Sequence, residues 1–217
     1  MKTSGNTILV TGGGTGIGEG LAHQFHQRGN TVIVAGRTRA SLEAAIAGRE
    51  GMHALVLDAA DPESVGSAVE TLGRDFPALN MLIHSAGIMS RDELATGTID
   101  LALAQRIITT NLVGTLQVVE GLLPLLLSNP DPVICTVSSG LAFVPLPSAP
   151  TYSATKAAVH SYSLSLRQRL KGRAEVIEIA PPGVRTGLNP GQESIEAYMP
   201  LDEYIAETMA NFAAQPT

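Results

Sequence analysis

Tryptophan is absent from these 217 residues, aromatics make up only 4%, and charged side chains only 16%. So little charge beside 44% hydrophobic residues excludes a disordered chain, and the length suits one domain with a full core. Basic residues are too few for a bulk-charge hold on nucleic acid: 14 Lys plus Arg face 20 Asp plus Glu, for a net charge of -6. The single cysteine, Cys135, rules out an internal disulfide and a cysteine metal cluster. Within the apolar run Pro132 to Val137 it reads as a small buried hydrophobe. A long uninterrupted apolar run is also missing. The greasiest stretch, Leu112 to Leu127, is broken by Gly114, Gln117, Glu120, Gly121 and Pro124, and reads as a buried helix rather than a membrane span. The apolar residues after Asn6 are too few for a signal-peptide core, so the expected location is the cytoplasm. Neither membrane nor nucleic acid is an expected partner. His23, His26, His53 and His160 show no metal-ligand spacing with acids or Cys135, and no metal site is expected.

What the chain has in excess is glycine, 22 residues, which points to backbone held close to a ligand. Short β-branched runs alternate with helical patterns. Strands are expected at Thr7 to Val10, Thr31 to Ala35, His53 to Leu57, Met81 to Ile83, Val133 to Val137 and Glu175 to Ile179. Helices are expected from Ile17 to about Arg28, at Ala40 to Ala47, from Pro62 to about Arg74, from about Ile99 to Leu127, and over Thr151 to Leu170. Asp61 before Pro62 reads as an N-cap with proline at the first helical position. Strands that are apolar nearly throughout, each separated from the next by a helix, are parallel and covered on both faces. The fold expected is a single doubly wound α/β domain over residues 1 to 217. In such sheets ligands bind beyond the carboxyl ends of the strands.

The first strand-end loop is Thr11-Gly12-Gly13-Gly14-Thr15-Gly16-Ile17-Gly18. Gly12 permits the tight turn, Gly16 lets backbone amides approach a pyrophosphate at the helix N-terminus, and Gly18 lets helix and strand pack closely. At the end of the second strand an acid would bind both ribose hydroxyls of NAD. The segment instead reads Ala35-Gly36-Arg37-Thr38-Arg39, and Arg37 suits the 2'-phosphate of NADP. NADP(H) is therefore the expected cofactor, with NAD(H) the alternative. Asp58, ending the third strand, suits an adenine amino group or a cap on the next turn.

Tyr152-Ser153-Ala154-Thr155-Lys156 places a tyrosine and a lysine one helical turn apart on one face, with Ser139 thirteen residues upstream. An ammonium beside a phenol favours phenolate; moving its pKa from about 10 toward 7 takes on the order of 4 kcal/mol. A tyrosine so tuned exchanges protons near neutral pH.

With these residues in place, nearly the whole chain resembles the short-chain dehydrogenase/reductase family. Thr11-Gly12-x-x-x-Gly16-x-Gly18 matches its cofactor loop, to which Gly14, Thr15 and Ile17 also belong, and Asp58 matches its adenine contact. Asn111, Ser139, Tyr152 and Lys156 match its catalytic positions. Ala86 and Gly87 close the fourth strand, and Pro182-Gly183-Val184-Arg185-Thr186 resembles its nicotinamide-side loop. The segment Val137 to Lys156 is similar to a subgroup of oxidoreductases resembling those of teichoic-acid D-alanylation operons. The resemblance implies hydride exchange with a small carbonyl or secondary alcohol. In it Ser139 holds the oxygen, Tyr152 is the general acid/base, Lys156 tunes the tyrosine and holds ribose, and Asn111 holds a water. A nucleotide-sensing regulator of the same fold is the alternative.

Where the family carries Asn-Asn-Ala-Gly, this chain has His84-Ser85-Ala86-Gly87, and His84 reads as a packing residue. Leu141, Phe143, Val144, Pro145 and Leu146 suggest an apolar wall, and residues 187 to 213 a substrate lid. A homodimer or homotetramer is implied through the helices starting near Ile99 and carrying Tyr152. The family also finishes with a seventh strand. Six strands here would leave the sixth as an exposed edge, so a further tail is expected.

Overall fold

The computed structural model describes residues 1–91 and 100–214. Six strands, β1 (Thr7–Thr11), β2 (Thr31–Gly36), β3 (Met52–Val56), β4 (Leu79–His84), β5 (Val133–Val137) and β6 (Glu175–Ile179), form one sheet. Their order is β3-β2-β1-β4-β5-β6, with every pairing parallel. The order reverses between β1 and β4, and the crevice at such a switch point is where a doubly wound sheet takes its ligand.

Alternation along each strand divides the core into two layers. Ile8, Val10, Val32, Val34, Met81, Ile83 and Cys135 face helix α1 (Gly16–Gln27) and helix α7 (Leu201–Ala214). Leu9, Ile33, Leu82, Ile134 and Val176 face α3 (Pro62–Asp75), α5 (Gly114–Leu127) and α6 (Pro150–Arg169). Helix α2 (Arg39–Ile46) covers the edge at β2 and β3. Asp61 caps α3 by accepting the Glu63 N–H at 3.0 Å, with Pro62 at the first helical position, as its sequence predicts.

Two features depart from the sequence reading. The long helix near the middle of the chain starts, among the described residues, at Leu101, where Asp100 accepts the Leu103 N–H; Ile99 lies outside them. It runs as α4 (Leu101–Ile108), one π-helical turn (Thr109–Val113) and α5. The extra residue of that turn shifts the helical phase, which brings Asn111 to the buried side. By length and composition, Leu101–Leu127 could cross a bilayer, despite the interruptions that argue against it in sequence. Here Val118, Val119, Leu122 and Leu126 pack it onto the sheet.

The second departure concerns residues 187 to 213, expected as a lid. Residues 201 to 214 are instead α7, whose Tyr204, Ile205, Met209 and Phe212 lie buried against α1 and the sheet, Phe212 meeting Phe25 at 6.0 Å between ring centroids. Among the described residues no seventh strand occurs, and β6 is the edge of the sheet. A groove lined by Ile177, Ile179, Tyr204 and Phe212 runs beside it.

Candidate active site

The turn after β1 is built so that only glycine fits. Gly12 and Gly16 have φ of +65° and +58°, a region that favours residues without Cβ. A Cβ on Gly18 would lie 2.3 Å from the Gly12 carbonyl oxygen, and one on Gly13 would lie 2.7 Å from that of Val10. The loop thus folds flat against the first turn of α1, whose unpaired N–H groups and positive dipole end open into the groove above the sheet. Thr15 is the N-cap and makes no side-chain capping bond.

From this loop the groove runs two ways. Toward β2 and β3 it is lined by Gly14, Thr15, Arg37, Thr38, Ser41, Asp58, Ala86 and Gly87. Arg37 is exposed at the rim. Asp58 borders the groove and caps the next turn, its Oδ1 accepting the Ala60 N–H at 3.0 Å, as the capping reading expects. Toward β5 and β6 a cavity of about 430 Å³ is lined by Gly16, Ile17 and Gly18 on one side and Pro182, Val184 and Thr186 on the other, with Ser139, Tyr152 and Lys156 between them. Gly183, between Pro182 and Val184, does not itself line the cavity but packs on Tyr198, whose ring a Cβ there would strike at 2.6 Å. Thr186 comes so near the glycine loop that a Cβ on Gly16 would lie 3.5 Å from its methyl group. Gln192 anchors this wall by donating to the Val184 carbonyl (2.9 Å) and the Thr186 hydroxyl (3.2 Å). Of the residues expected in a lid, 187 to 200 cross this mouth, pinned by reciprocal backbone bonds between Gly183, Arg185 and Met199.

Tyr152 and Lys156 lie on the inner face of α6, both buried, with the ammonium 5.6 Å from the ring centroid. Burial pushes the Tyr152 phenol up to about 12, opposed by a hydrogen bond with Ser139. Burial also brings the Lys156 ammonium down to about 8. The sequence predicts an ammonium that lowers the phenol. In the structure desolvation dominates, and Lys156 Nζ donates instead to the Val137 carbonyl at 2.7 Å. Asn111 bridges three elements: its Oδ1 accepts the Ile88 N–H at 2.8 Å, and its Nδ2 donates to the Ile88 carbonyl (2.8 Å) and the Thr155 hydroxyl (3.3 Å). It sits at Gly87, where a Cβ would lie 3.3 Å from Asn111 Oδ1 and 3.6 Å from Lys156 Nζ. Ile88, Met89, Leu141 and Leu146 surround Tyr152 with apolar surface.

A model of the short chain dehydrogenase family matches residues 6–196. The chain belongs to that family. The chain is 40% identical over 190 residues to Uncharacterized oxidoreductase DltE of Bacillus subtilis (strain 168), covering 87% of this chain and 75% of that protein. The 3-ketoacyl-(acyl-carrier-protein) reductase from Brucella melitensis, solved with NADH, superposes with a TM-score of 0.88 at 25% identity, covering 99% of this chain and 93% of that one. A short chain dehydrogenase from Burkholderia cenocepacia J2315, solved with NADP, gives 0.86 at 26% identity, covering 100% and 87%. This short-chain dehydrogenase has a cradle that fits a dinucleotide: without Cβ atoms at Gly12, Gly13 and Gly18 the loop packs directly on Ala86, Val10 and the start of α1, which keeps the groove above it open, and the α1 N-terminus supplies amides where a pyrophosphate would sit.

His84 takes a definite part in shaping the strand ends. Thr11 Oγ1 accepts the Ala86 N–H at 3.2 Å and shares a hydrogen bond with His84 Nδ1 at 3.0 Å. The other ring nitrogen, Nε2, is buried with no partner among the described residues. Burial, then the nearby Lys156 charge, hold its pKa at about 3, so the ring stays neutral and packs. Ile88 and Met89, directly after the Ala86-Gly87 pair, line the cavity without having been predicted; Gln192 falls in the stretch expected as a lid, but nothing local marks it individually.

Proposed function

We propose that this short-chain dehydrogenase is an NADP(H)-dependent oxidoreductase that reduces the carbonyl of a small organic molecule, or oxidises the matching secondary alcohol, with Tyr152 as general acid/base. The observation that carries this reading is the meeting of Ser139, Tyr152 and Lys156 in one cavity that continues into the glycine cradle. The nicotinamide, when bound, supplies or accepts the hydride. Ser139 holds the carbonyl oxygen by hydrogen bonding. Tyr152 delivers a proton to that oxygen; with its pKa pushed up to about 12, the phenol is a proton donor at neutral pH, which suits reduction. Lys156 holds the ribose of the cofactor and places positive charge beside the developing alkoxide. Asn111 keeps the Gly87-Ile88 turn against α6 and holds a water beside Lys156.

Gly12, Gly14, Thr15, Gly16, Ile17 and Gly18 bind the pyrophosphate side, Asp58, Ala86 and Gly87 the adenosine, and Pro182, Gly183, Val184 and Thr186 the nicotinamide. Arg37 pairs with the 2'-phosphate, and its exposed rim position at the adenosine end supports NADP(H) over NAD(H). The apolar surroundings of Tyr152 support a substrate whose carbonyl carries an apolar substituent. We also read the protein as a cytoplasmic homodimer or homotetramer; exposed Leu101, Ile108 and Val113 on the α4–α5 helix and Leu164 on α6 support the assembly. The test is to add NADPH and a panel of ketones and aldehydes and to follow the absorbance of the reduced cofactor. Turnover with at least one carbonyl is expected. Tight NADPH binding with silence across the panel would favour a nucleotide-sensing protein instead.

A further inference from the structure

Outside the site, one carboxylate is nearly buried and has no part in the mechanism above. Glu178 lies on the edge strand β6 with its side chain only 9% exposed. Its Oε1 accepts a short hydrogen bond from the Ser138 hydroxyl, and its Oε2 accepts from His160 Nδ1 at 2.8 Å. A carboxylate is costly to remove from water, and these two donors replace the water it loses. Both partners are neighbours of the reacting groups. Ser138 stands between Val137, whose carbonyl holds Lys156 Nζ, and Ser139, which faces Tyr152. His160 is one turn beyond Lys156 on α6, and its ring meets Phe143, in the loop after Ser139, edge-on at 4.6 Å.

The geometry points to Glu178 as a positioning residue: it clamps the end of β5 to α6, and so sets the spacing between Ser139 on one element and Tyr152 and Lys156 on the other. This rests on the function proposed above. The backbone of Ser138 is already tied to β6, since its N–H donates to the Ile179 carbonyl at 2.8 Å, so β5 and β6 stay joined without the carboxylate. Within β5, Thr136 already meets Ser163 of α6 (2.7 Å) and the Val137 carbonyl holds Lys156; what the carboxylate adds is a tie to α6, through His160, from Ser138, the residue next to Ser139. A shift of about 1 Å between reacting groups costs on the order of a hundredfold in rate, so a modest loosening of this clamp is visible in turnover.

The test compares the intact protein with Glu178→Ala, Glu178→Gln, Ser138→Ala and His160→Ala, reading kcat, KM for the carbonyl, the dissociation constant of NADPH, and the NMR signal of the Lys156 side chain. Glu178→Ala is expected to lower kcat about tenfold or more, with KM and NADPH affinity within about threefold. Glu178→Gln, which keeps one acceptor and one donor for the two partners, is expected to recover most of the loss. If Glu178→Ala does not fold, Ser138→Ala and His160→Ala carry the test: each lowers kcat, and the pair together costs less than the product of the two. Full kcat in a folded Glu178→Ala protein, or equal loss in the Ala and Gln variants, would overturn the clamp. Should the intact protein bind NADPH yet turn over no carbonyl, the proposed function fails by itself. The clamp is then judged on the Lys156 signal, displaced in Glu178→Ala and restored in Glu178→Gln if it exists, and unmoved in both if it does not.

Discussion

The two ends of the groove are built from different materials. Toward β2 and β3 the lining comes from backbone and from side chains at the rim: the glycine turn, exposed Arg37, and Asp58, which also caps the next turn. At the other end it comes from the buried side chains Ser139, Tyr152 and Lys156, with Asn111 buried beside them; Lys156 is held by the Val137 carbonyl and Asn111 by the backbone of Ile88. A rim contact is solvated and replaceable, and its loss weakens one ligand feature. A buried group sits where water cannot substitute for it, so its loss removes chemistry.

That contrast is sharpest within the glycines themselves. Gly18→Ala forces a Cβ to within 2.3 Å of the Gly12 carbonyl oxygen, a backbone collision that cannot relax by rotating a side chain. We expect about 3 kcal/mol of destabilisation together with loss of NADPH binding, read by thermal or urea unfolding and by titration. Gly73→Ala, in the interior of α3 with nothing within 4 Å, is expected to gain about 0.5–1 kcal/mol in the same assay. Equal responses at the two positions would show that the loop is not the tight cradle described.

Arg37→Asp tests the rim. We expect NADP to lose about tenfold or more in affinity, with NAD far less affected, as measured by the ratio of their dissociation constants. An unchanged ratio would remove Arg37 from cofactor choice and narrow the difference between the two ends.

The smallest effect is one of pH. The Lys156 ammonium has a pKa near 8 in the folded protein and about 10.5 when unfolded, so the unfolded chain binds more protons between those values. The penalty for burying the charge is therefore fully present below pH 8 and disappears as pH rises through that window. Comparing the unfolding free energy of the intact protein with that of Lys156→Met, the intact protein is expected to gain relative stability from about pH 8 to 10. A flat difference would mean that the lysine is not desolvated.

How far the sequence foretells this contrast depends on whether the information is local. Strands β5 and β6 match their expected bounds to the residue, and the glycine turn, Arg37, Ser139, Tyr152 and Lys156 all reach the groove. Each was marked by nearby spacing: apolar runs, a strand-turn-helix glycine pattern, one helical turn between tyrosine and lysine. The π-helical turn left no mark, because one extra residue in an apolar helix does not interrupt its composition. Helix α7 lies in the stretch expected as a lid, yet Tyr204, Ile205, Thr208, Met209 and Phe212 repeat at helical spacing and form a face that belongs to the core. The direction of the Tyr152 shift depends on burial, and the Glu178–His160 contact joins residues 18 apart on different elements. Neither can be read from spacing.

Tyr152→Phe tests the central claim most directly. It removes one oxygen from a buried ring and leaves the glycine cradle, Arg37 and Lys156 in place. The measurement is NADPH affinity alongside NADPH oxidation with a carbonyl that the intact protein reduces. The account predicts an unchanged dissociation constant, within about twofold, and a fall in kcat of about a thousandfold or more. A Tyr152→Phe protein that binds NADPH and keeps substantial turnover would contradict it.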